Sequence, residues 1–219
     1  MKNGLIATFG LLVTILLIGQ RLGFVWAGGT GFVPEREAGV TEMVGTVEID
    51  RNGTIRDAQI WHPVKRGEIV RTGPGERVRL QLSFAHEVAL DENTDLTIAS
   101  NTTDEIVLRL GRGRIYLDAH TDAISDRTWA DHVTVDTNFT RSTIQYGALS
   151  VVNYDFLETV SIIPVGTPAL ILVENSQVFS TEKPVDIHET SPVSIVETRF
   201  DPSAGAAADF YAWSIKKEN

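Results

Sequence analysis

The stretch "KRGEIVRTGPGERVRLQLS", residues 65–83, joins a glycine-rich turn to a strictly alternating segment. In its second half, polar residues alternate with Val78, Leu80 and Leu82. Successive side chains of a β-strand point to opposite faces, so this pattern predicts a strand with one buried and one wet face. The turn at residues 72–75 lacks the Gly-Lys-Ser/Thr sequence of a P-loop, so we interpret it as a turn and not as a phosphate site.

The same alternation of polar and apolar residues recurs along the chain, and no segment with the 3.6-residue period of a helix separates the alternating segments. Asn52-Gly53 predicts a tight hairpin turn, and residues 111–114, "GRGR", are expected to join two strands. The predicted strands fall within 43–50, 59–64, 68–71, 76–83, 87–90, 95–99, 105–110, 112–118, 132–136, 141–146, 148–153, 158–163, 168–173 and 177–182. The spacing predicts an all-β fold, with many short antiparallel strands in a two-layer sandwich or solenoid-like domain. A short C-terminal helix is expected at about 204–217.

The N-terminal segment 4–19 contains no charged residue; Lys2 precedes it and Arg21 follows it closely. Its length lies between that of a spanning helix, about 20 residues, and that of a secretory h-region, about 7–15 residues. Residues 1–27 are therefore either an uncleaved signal anchor, which we favour, or a cleaved signal peptide. Both alternatives predict that the remainder lies outside the cytoplasm. Residues 28–42 are interpreted as a tether.

Composition excludes several classes of function. The chain has 219 residues, a formal net charge of −10 and no cysteine. The negative charge disfavours nucleic-acid binding. Without cysteine there are no disulfides, zinc–thiolate sites or thiol nucleophiles. No serine lies in a G-x-S-x-G context, and we predict neither an enzyme nor a bound cofactor.

Charged residues in the middle of the chain form a candidate binding surface. These charged residues could simply cover solvated faces of the sheets. Alternatively, they form a polarised surface that binds a partner. Carboxylates together with an imidazole could hold a divalent ion, but a solvated acidic loop explains them as well, so no metal site is predicted. The candidate residues are Arg77, Arg79, Arg112, Arg114, Asp118, His120 and Asp122.

Two segments carry a family resemblance. "GEIVRTGPGERVRLQLSFAHEVALDENTDLTI" (67–98) and "EIVLRLGRGRIYLD" (105–118) resemble the FecR-type domain, a family named for a periplasmic ferric-citrate sensor regulator. The resemblance extends over about residues 43–182. The matching residues are Gly67, Glu68, Ile69, Thr72, Gly73, Leu80, Leu90, Asn93, Thr94, Leu96, Leu108, Leu110, Gly113 and Ile115.

The resemblance implies a FecR-like β domain at 43–183 and a C-terminal extension at 184–219. Two departures qualify it. Phe84-Ala85-His86 stands where the family has an Asp-Gly-Ser-like turn. Only three residues precede the apolar segment, where the ferric-citrate regulator has a cytoplasmic domain that binds a sigma factor. The family's sigma-regulating activity is therefore not expected here.

Together these observations predict a non-catalytic binding or sensing domain that contacts an envelope protein or glycan. It is expected on the cell membrane, anchored once through residues 4–19 with the domain in the periplasm or at the cell surface, and secreted if the N-terminus is cleaved. The alternative is a cell-surface structural or polysaccharide-binding protein without a signalling role. A hydrolase of envelope polymers ranks third.

Overall fold

The computed structural model describes residues 36–119, 132–173 and 177–215. The predicted anchor at 4–19 and the first part of the tether lie outside these residues. No helix in the described ranges is long and apolar enough to cross a membrane. The elements are β1 (Ala38–Val44), β2 (Glu48–Arg51), β3 (Thr54–Asp57), β4 (Pro63–Val64), β5 (Ile69–Arg71), β6 (Arg77–Ser83), β7 (His86–Leu90), β8 (Asp95–Asn101), β9 (Ile106–Ala119), β10 (Val133–Asp136), β11 (Thr140–Ile144), β12 (Gly147–Tyr154), β13 (Thr159–Val165), β14 (Ala169–Val173), β15 (Gln177–Thr181), β16 (Val185–His188), β17 (Ser194–Glu197) and α1 (Ala208–Ile215).

The strands form two sheets that share β9. Sheet I has the order β4-β1-β6-β7-β9-β12-β13-β16-β17. Sheet II has the order β3-β2-β5-β8-β9-β10-β11-β14-β15. All of these pairs are antiparallel except β9 with β10. The predicted all-β fold is confirmed, as is the short C-terminal helix.

A core of mostly aliphatic side chains lies between the sheets, with contributions from both. The opening stretch behaves as its pattern predicts, because Val78, Leu80 and Leu82 are all at most 1% exposed. Apolar burial contributes roughly 25 cal/mol for each Å² removed from water, so a core of this kind stabilises the fold. The two halves of the strand series therefore belong to one domain.

Strand β9 corrects the interpretation of residues 111–114 as a connection between two strands. The strand is continuous and passes from one sheet to the other at this point. Its residues up to Arg112 pair with β8, and its residues from Gly113 onward pair with β12. Gly113 has φ +92°, and a Cβ there would lie 2.6 Å from Thr94 Cα. Only glycine fits this crossing point.

Other local predictions had mixed outcomes. The Asn52-Gly53 turn is confirmed: both residues have positive φ, as a two-residue type I′ hairpin requires. The single strand predicted at 43–50 is wrong, because the chain leaves sheet I at Gly45, which has φ +80°, and enters sheet II with β2.

The predicted segment boundaries also change. The tether was expected to reach residue 42, but β1 begins at Ala38, where its backbone pairs with β4. At the other end of the domain, β16 and β17 continue sheet I into the predicted C-terminal extension. Sheet I thus includes residues before and after the predicted β domain. The ends of a strand depend on backbone pairing with strands that are distant in the sequence.

Candidate binding surface

The glycine-rich turn between β5 and β6 holds carboxylates from its own chain. The N–H of Gly73 donates to Glu76 Oε2 at 2.6 Å, and the N–H of Gly75 donates to Glu92 Oε2 at 2.6 Å. These amides are the donors that a phosphate would need. The turn predicted at residues 72–75 is therefore present, and it connects β5 of sheet II to β6 of sheet I.

Strand alternation places the predicted arginines on the outer face of sheet I. Arg77 and Arg79 lie on β6, and Arg114 lies on β9, with their inward neighbours buried. Arg112 precedes the crossing point of β9 and pairs with Asp95 across to β8, Nε to Oδ2 at 3.1 Å. Asp118 lies near the end of β9. The remaining candidates, His120 and Asp122, lie outside the described residues.

Arg77 and Arg114 converge on one buried carboxylate. Arg77 Nε lies 3.2 Å from Asp91 Oδ1, and Arg114 Nη1 lies 2.7 Å from Asp91 Oδ2. Asp91 is only 5% exposed. Charge-assisted hydrogen bonds of this kind hold the two arginine side chains in fixed positions around Asp91. Together these three side chains form a floor on the outer face of sheet I, with two positive charges and one negative charge.

Helix α1 lies on this floor. Its Phe210 is fully buried and its Tyr211 is 3% exposed. The Arg77 guanidinium carbon lies 5.9 Å from the centre of the Phe210 ring, and the Arg114 carbon lies 5.8 Å from the centre of the Tyr211 ring. A second apolar cluster results, which joins α1 to Ala89, Tyr116 and Ala148 on the sheet. The arginines thus contribute cation–π contacts to the docked helix.

Arg79 fixes the end of the helix. Its Nη2 donates to the carbonyl of Trp213 at 2.8 Å and its Nη1 donates to that of Ser214 at 3.2 Å. The guanidinium also lies 4.8 Å from the centre of the Trp213 ring. Carbonyls at a helix C-terminus lack intrahelical partners, so a cation there satisfies them. Arg79 further pairs with Glu42 and Glu87 on neighbouring strands.

Two tyrosines complete the contact. The Ser150 hydroxyl donates to the Ile115 carbonyl at 2.9 Å and accepts from the Tyr211 hydroxyl at 3.0 Å. Burial raises the pKa of Tyr211, and burial, together with Asp118 and Tyr211, raises the pKa of Tyr116 to about 12. Both phenols are therefore neutral at physiological pH, where they act as packing and hydrogen-bonding groups.

The proposed polar surface is thus largely engaged within the domain, since Arg77, Arg79 and Arg114 contact acidic residues and α1. Its role toward a partner stays a prediction. Sequence reasoning did not predict that α1 lies on these arginines, because an outward polar position in a strand does not indicate what covers it. Within the described ranges, no three His, Asp or Glu side chains are arranged to hold a metal ion.

The outer face of sheet II carries apolar side chains that sequence analysis did not single out. Leu170 is 51% exposed, Leu172 is 37% exposed and Val178 is 60% exposed. Leu172 and Val178 are paired across β14 and β15. We call these three residues the β14–β15 patch. The signal was present in "ALILV" (169–173), where both the inward and the outward positions are apolar.

Comparison with known proteins supports the fold. No protein-family model and no curated protein sequence matches the chain. Two crystal structures of a putative anti-sigma factor from Parabacteroides distasonis ATCC 8503 are similar. The first has a TM-score of 0.52 and 14% identity over 67% of this chain. The second has a TM-score of 0.51 and 14% identity over 62% of this chain. The chain covers 64% and 61% of those two chains, so the similarity extends over less than two thirds of their length.

Proposed function

We propose that this chain is a membrane-anchored, extracytoplasmic binding and sensing domain of the FecR type, without catalytic activity, and that it contacts a protein of the cell envelope. The sequence motifs at 67–98 and 105–118 support the family, and the apolar segment 4–19 supports the anchor. The likeness of fold to a putative anti-sigma factor agrees with a regulatory domain.

A binding role accords with how the charged side chains are used. In sheet I the arginines are paired with Asp91, Glu42 and Glu87 and lie against α1. Catalytic sites instead gather titratable groups with shifted pKa values in a cleft. The two tyrosines with raised pKa values lie in the helix contact, where both are at most 7% exposed.

The observation that carries the proposal is strand β15, which is an edge strand of sheet II among the residues that the structure describes. Sheet edges are ordinarily protected by proline or charge against pairing with other chains. Edge strand β4 contains Pro63, β3 contains Arg56 and Asp57, and β17 ends at Glu197, which pairs with Lys183. In contrast, β15 has the sequence "QVFST", without charge or proline.

Strand β15 therefore suits a partner that adds a strand to sheet II. Its backbone would supply hydrogen bonds, and the adjacent β14–β15 patch would receive apolar side chains of the partner. Because β15 contains no charged residue, the strand itself does not repel a charged partner segment. We expect an extended segment with alternating apolar residues as the ligand.

Site-specific photo-crosslinking in intact cells tests this function. A photoreactive residue at Val178 is expected to give a discrete crosslinked envelope protein. The matched control is the same residue at Val196 on edge strand β17, which is 47% exposed and is expected to give none. Equal crosslinking at both positions, or a chain found only in the cytosol, contradicts the proposal.

A further inference from the structure

The core between the sheets is incompletely covered on one side. In the part of the chain that the structure describes, this side is bounded by edge strand β15 of sheet II and edge strand β17 of sheet I. Phe179 on β15 pairs with Ile171, and Ile195 on β17 pairs with Ile187. Ile171 and Ile187 are 0% exposed, so Phe179 and Ile195 point inward with them. Phe179 is nevertheless only partly buried, and Ile195 is 38% exposed.

The two edge strands end at one corner of the domain. Residues 182–184 connect the end of β15 to the beginning of β16, which pairs with β17. The N–H of Thr198, just after β17, donates to the carbonyl of Pro184 in this connection at 2.9 Å. Phe179 and Ile195 are each two residues before the last residue of their strand. They therefore lie on opposite sides of the same opening.

We call the space between Phe179 and Ile195 the β15–β17 groove. Its floor is the aliphatic core, to which Ile171 and Ile187 belong. Val193, just before β17, also packs against this core and is partly buried. Packed sheets lie about 10 Å apart, so a side chain from a further strand fits between them.

The groove is suited to an uncharged side chain. Strand β15 has no charged residue, and Glu197 at the end of β17 pairs with Lys183, Oε2 to Nζ at 2.8 Å. A charged side chain that entered between Phe179 and Ile195 would lose its hydration without gaining a partner. An aliphatic or aromatic side chain would instead gain from the burial of apolar surface.

We propose that the partner strand which adds to β15 inserts an aliphatic or aromatic side chain into the β15–β17 groove. This inference rests on the strand addition in the proposed function and names the residues that the partner must supply. Paired residues of neighbouring strands point to the same face, so a partner residue beside Val178 points outward and its neighbour in sequence points inward. The partner segment therefore carries adjacent apolar residues, one for the β14–β15 patch and one for the groove.

Photo-crosslinking at adjacent positions of β17 tests the groove, with the full-length chain in intact cells. Ile195 and Val196 are 38% and 47% exposed and point to opposite faces of the strand. A photoreactive residue at Ile195 is expected to give the same crosslinked envelope protein as one at Val178, and one at Val196 is expected to give none.

The crosslinked residues of the partner, identified by mass spectrometry, sharpen this test. Those reached from Val178 and from Ile195 are expected to lie in one segment, an odd number of positions apart, because outward and inward residues alternate along a strand. An even separation, or crosslinks to two distant segments, contradicts the insertion.

Ile195→Thr tests the apolar contact itself, and Val196→Thr is the matched control. Threonine suits strands and both positions are exposed, so both variants are expected to unfold at urea concentrations close to that of the unaltered chain. Crosslinking from Val178 is expected to fall several-fold in Ile195→Thr, because the groove loses part of its apolar wall, and to stay unchanged in Val196→Thr. Equal yields in the two variants contradict the groove. If Ile195→Thr is destabilised, the crosslinks from position 195 decide the question.

The remaining outcomes separate the two proposals. Crosslinking from Val178 without crosslinking from Ile195 overturns the groove and leaves the strand addition supported. No crosslink from either position overturns both proposals, and so does a crosslink from Ile195 alone, because the ligand would not lie along β15. A product made of two copies of this chain also overturns both, because it would assign β15 to self-association.

Discussion

The two outer faces of the sandwich arise from the same alternating sequence pattern but differ in what covers them. On sheet I, one row of paired residues runs from Glu42 through Arg79, Ala89 and Tyr116 to Ser150, and α1 contacts it throughout. On sheet II, the corresponding face has no helix in the part of the chain that the structure describes, and Leu172 is exposed. The difference teaches that strand alternation determines which side chains point outward but not which of them meet solvent.

The largest expected effect is at the strand that both faces share. Gly113→Ala would bring a Cβ to within 2.3 Å of Thr94 Oγ1, at a residue with φ +92°. Because both the clash and the backbone strain oppose folding, we expect a loss of about 4 kcal/mol or more in the free energy of unfolding, measured in urea.

Gly111→Ala is the matched control on the same strand. Its Cβ would meet Asp95 at 3.7 Å, an ordinary contact, and its φ is not positive. We expect a change within about 1 kcal/mol. If the two variants lose similar stability, the crossing of β9 does not depend on glycine at position 113.

The second prediction compares one arginine from each face. Arg79→Met removes the guanidinium from Glu42, Glu87 and the last carbonyls of α1, although it keeps much of the alkyl stem. The Arg79 side chain is 11% exposed. Truncation leaves partly buried acceptors unpaired, so we expect a loss of about 2–3 kcal/mol. Urea unfolding measures it, and limited proteolysis is expected to cleave the variant near α1.

Arg141→Met is the corresponding change on sheet II. Arg141 pairs with Asp136, Nε to Oδ1 at 2.7 Å, but its side chain is 56% exposed. Because water and salt screen an exposed pair, we expect a change of at most about 0.5–1 kcal/mol. Equal losses in Arg79→Met and Arg141→Met would show that the helix adds nothing to the contribution of Arg79.

The sequence predicts the features that depend on neighbouring residues but not those that depend on distant contacts. The buried set Val78, Leu80 and Leu82 and the Asn52-Gly53 turn were predictable, because both depend on residues adjacent in the chain. The position of α1 on the arginines of sheet I was not predictable, since the hydrogen bond from Arg79 to Trp213 joins residues 134 positions apart. The continuity of β9 was not predicted because glycines usually end strands. In β9 the glycines instead allow the strand to pass from one sheet to the other.

The third prediction concerns stability at alkaline pH, where a tyrosine on sheet I ionises. Folding raises the pKa of Tyr116 to about 12 from its ordinary value of 10.0. The unfolded chain therefore releases this proton first, and the stability contributed by the neutral phenol, present below pH 10, is lost as pH rises through about 12. We expect a decrease of roughly 2 kcal/mol over that interval. Tyr116→Phe should make the urea midpoint less dependent on pH between 10 and 12, and an unchanged slope would exclude this tyrosine as the cause.

The smallest effect on stability is expected at the open face. The double variant Leu170→Thr and Leu172→Thr changes two outward positions of β14 and leaves the buried Ile171 between them unaltered. Threonine is as suited to strands as leucine, and little apolar burial is lost, so the free energy of unfolding should change by less than about 1 kcal/mol. Crosslinking from Val178 to its partner should nevertheless decline strongly, because the β14–β15 patch would no longer be apolar. Retained stability with lost crosslinking would mean that the leucines serve a partner and not the fold. Lost stability with retained crosslinking would mean that the leucines serve the fold and not a partner.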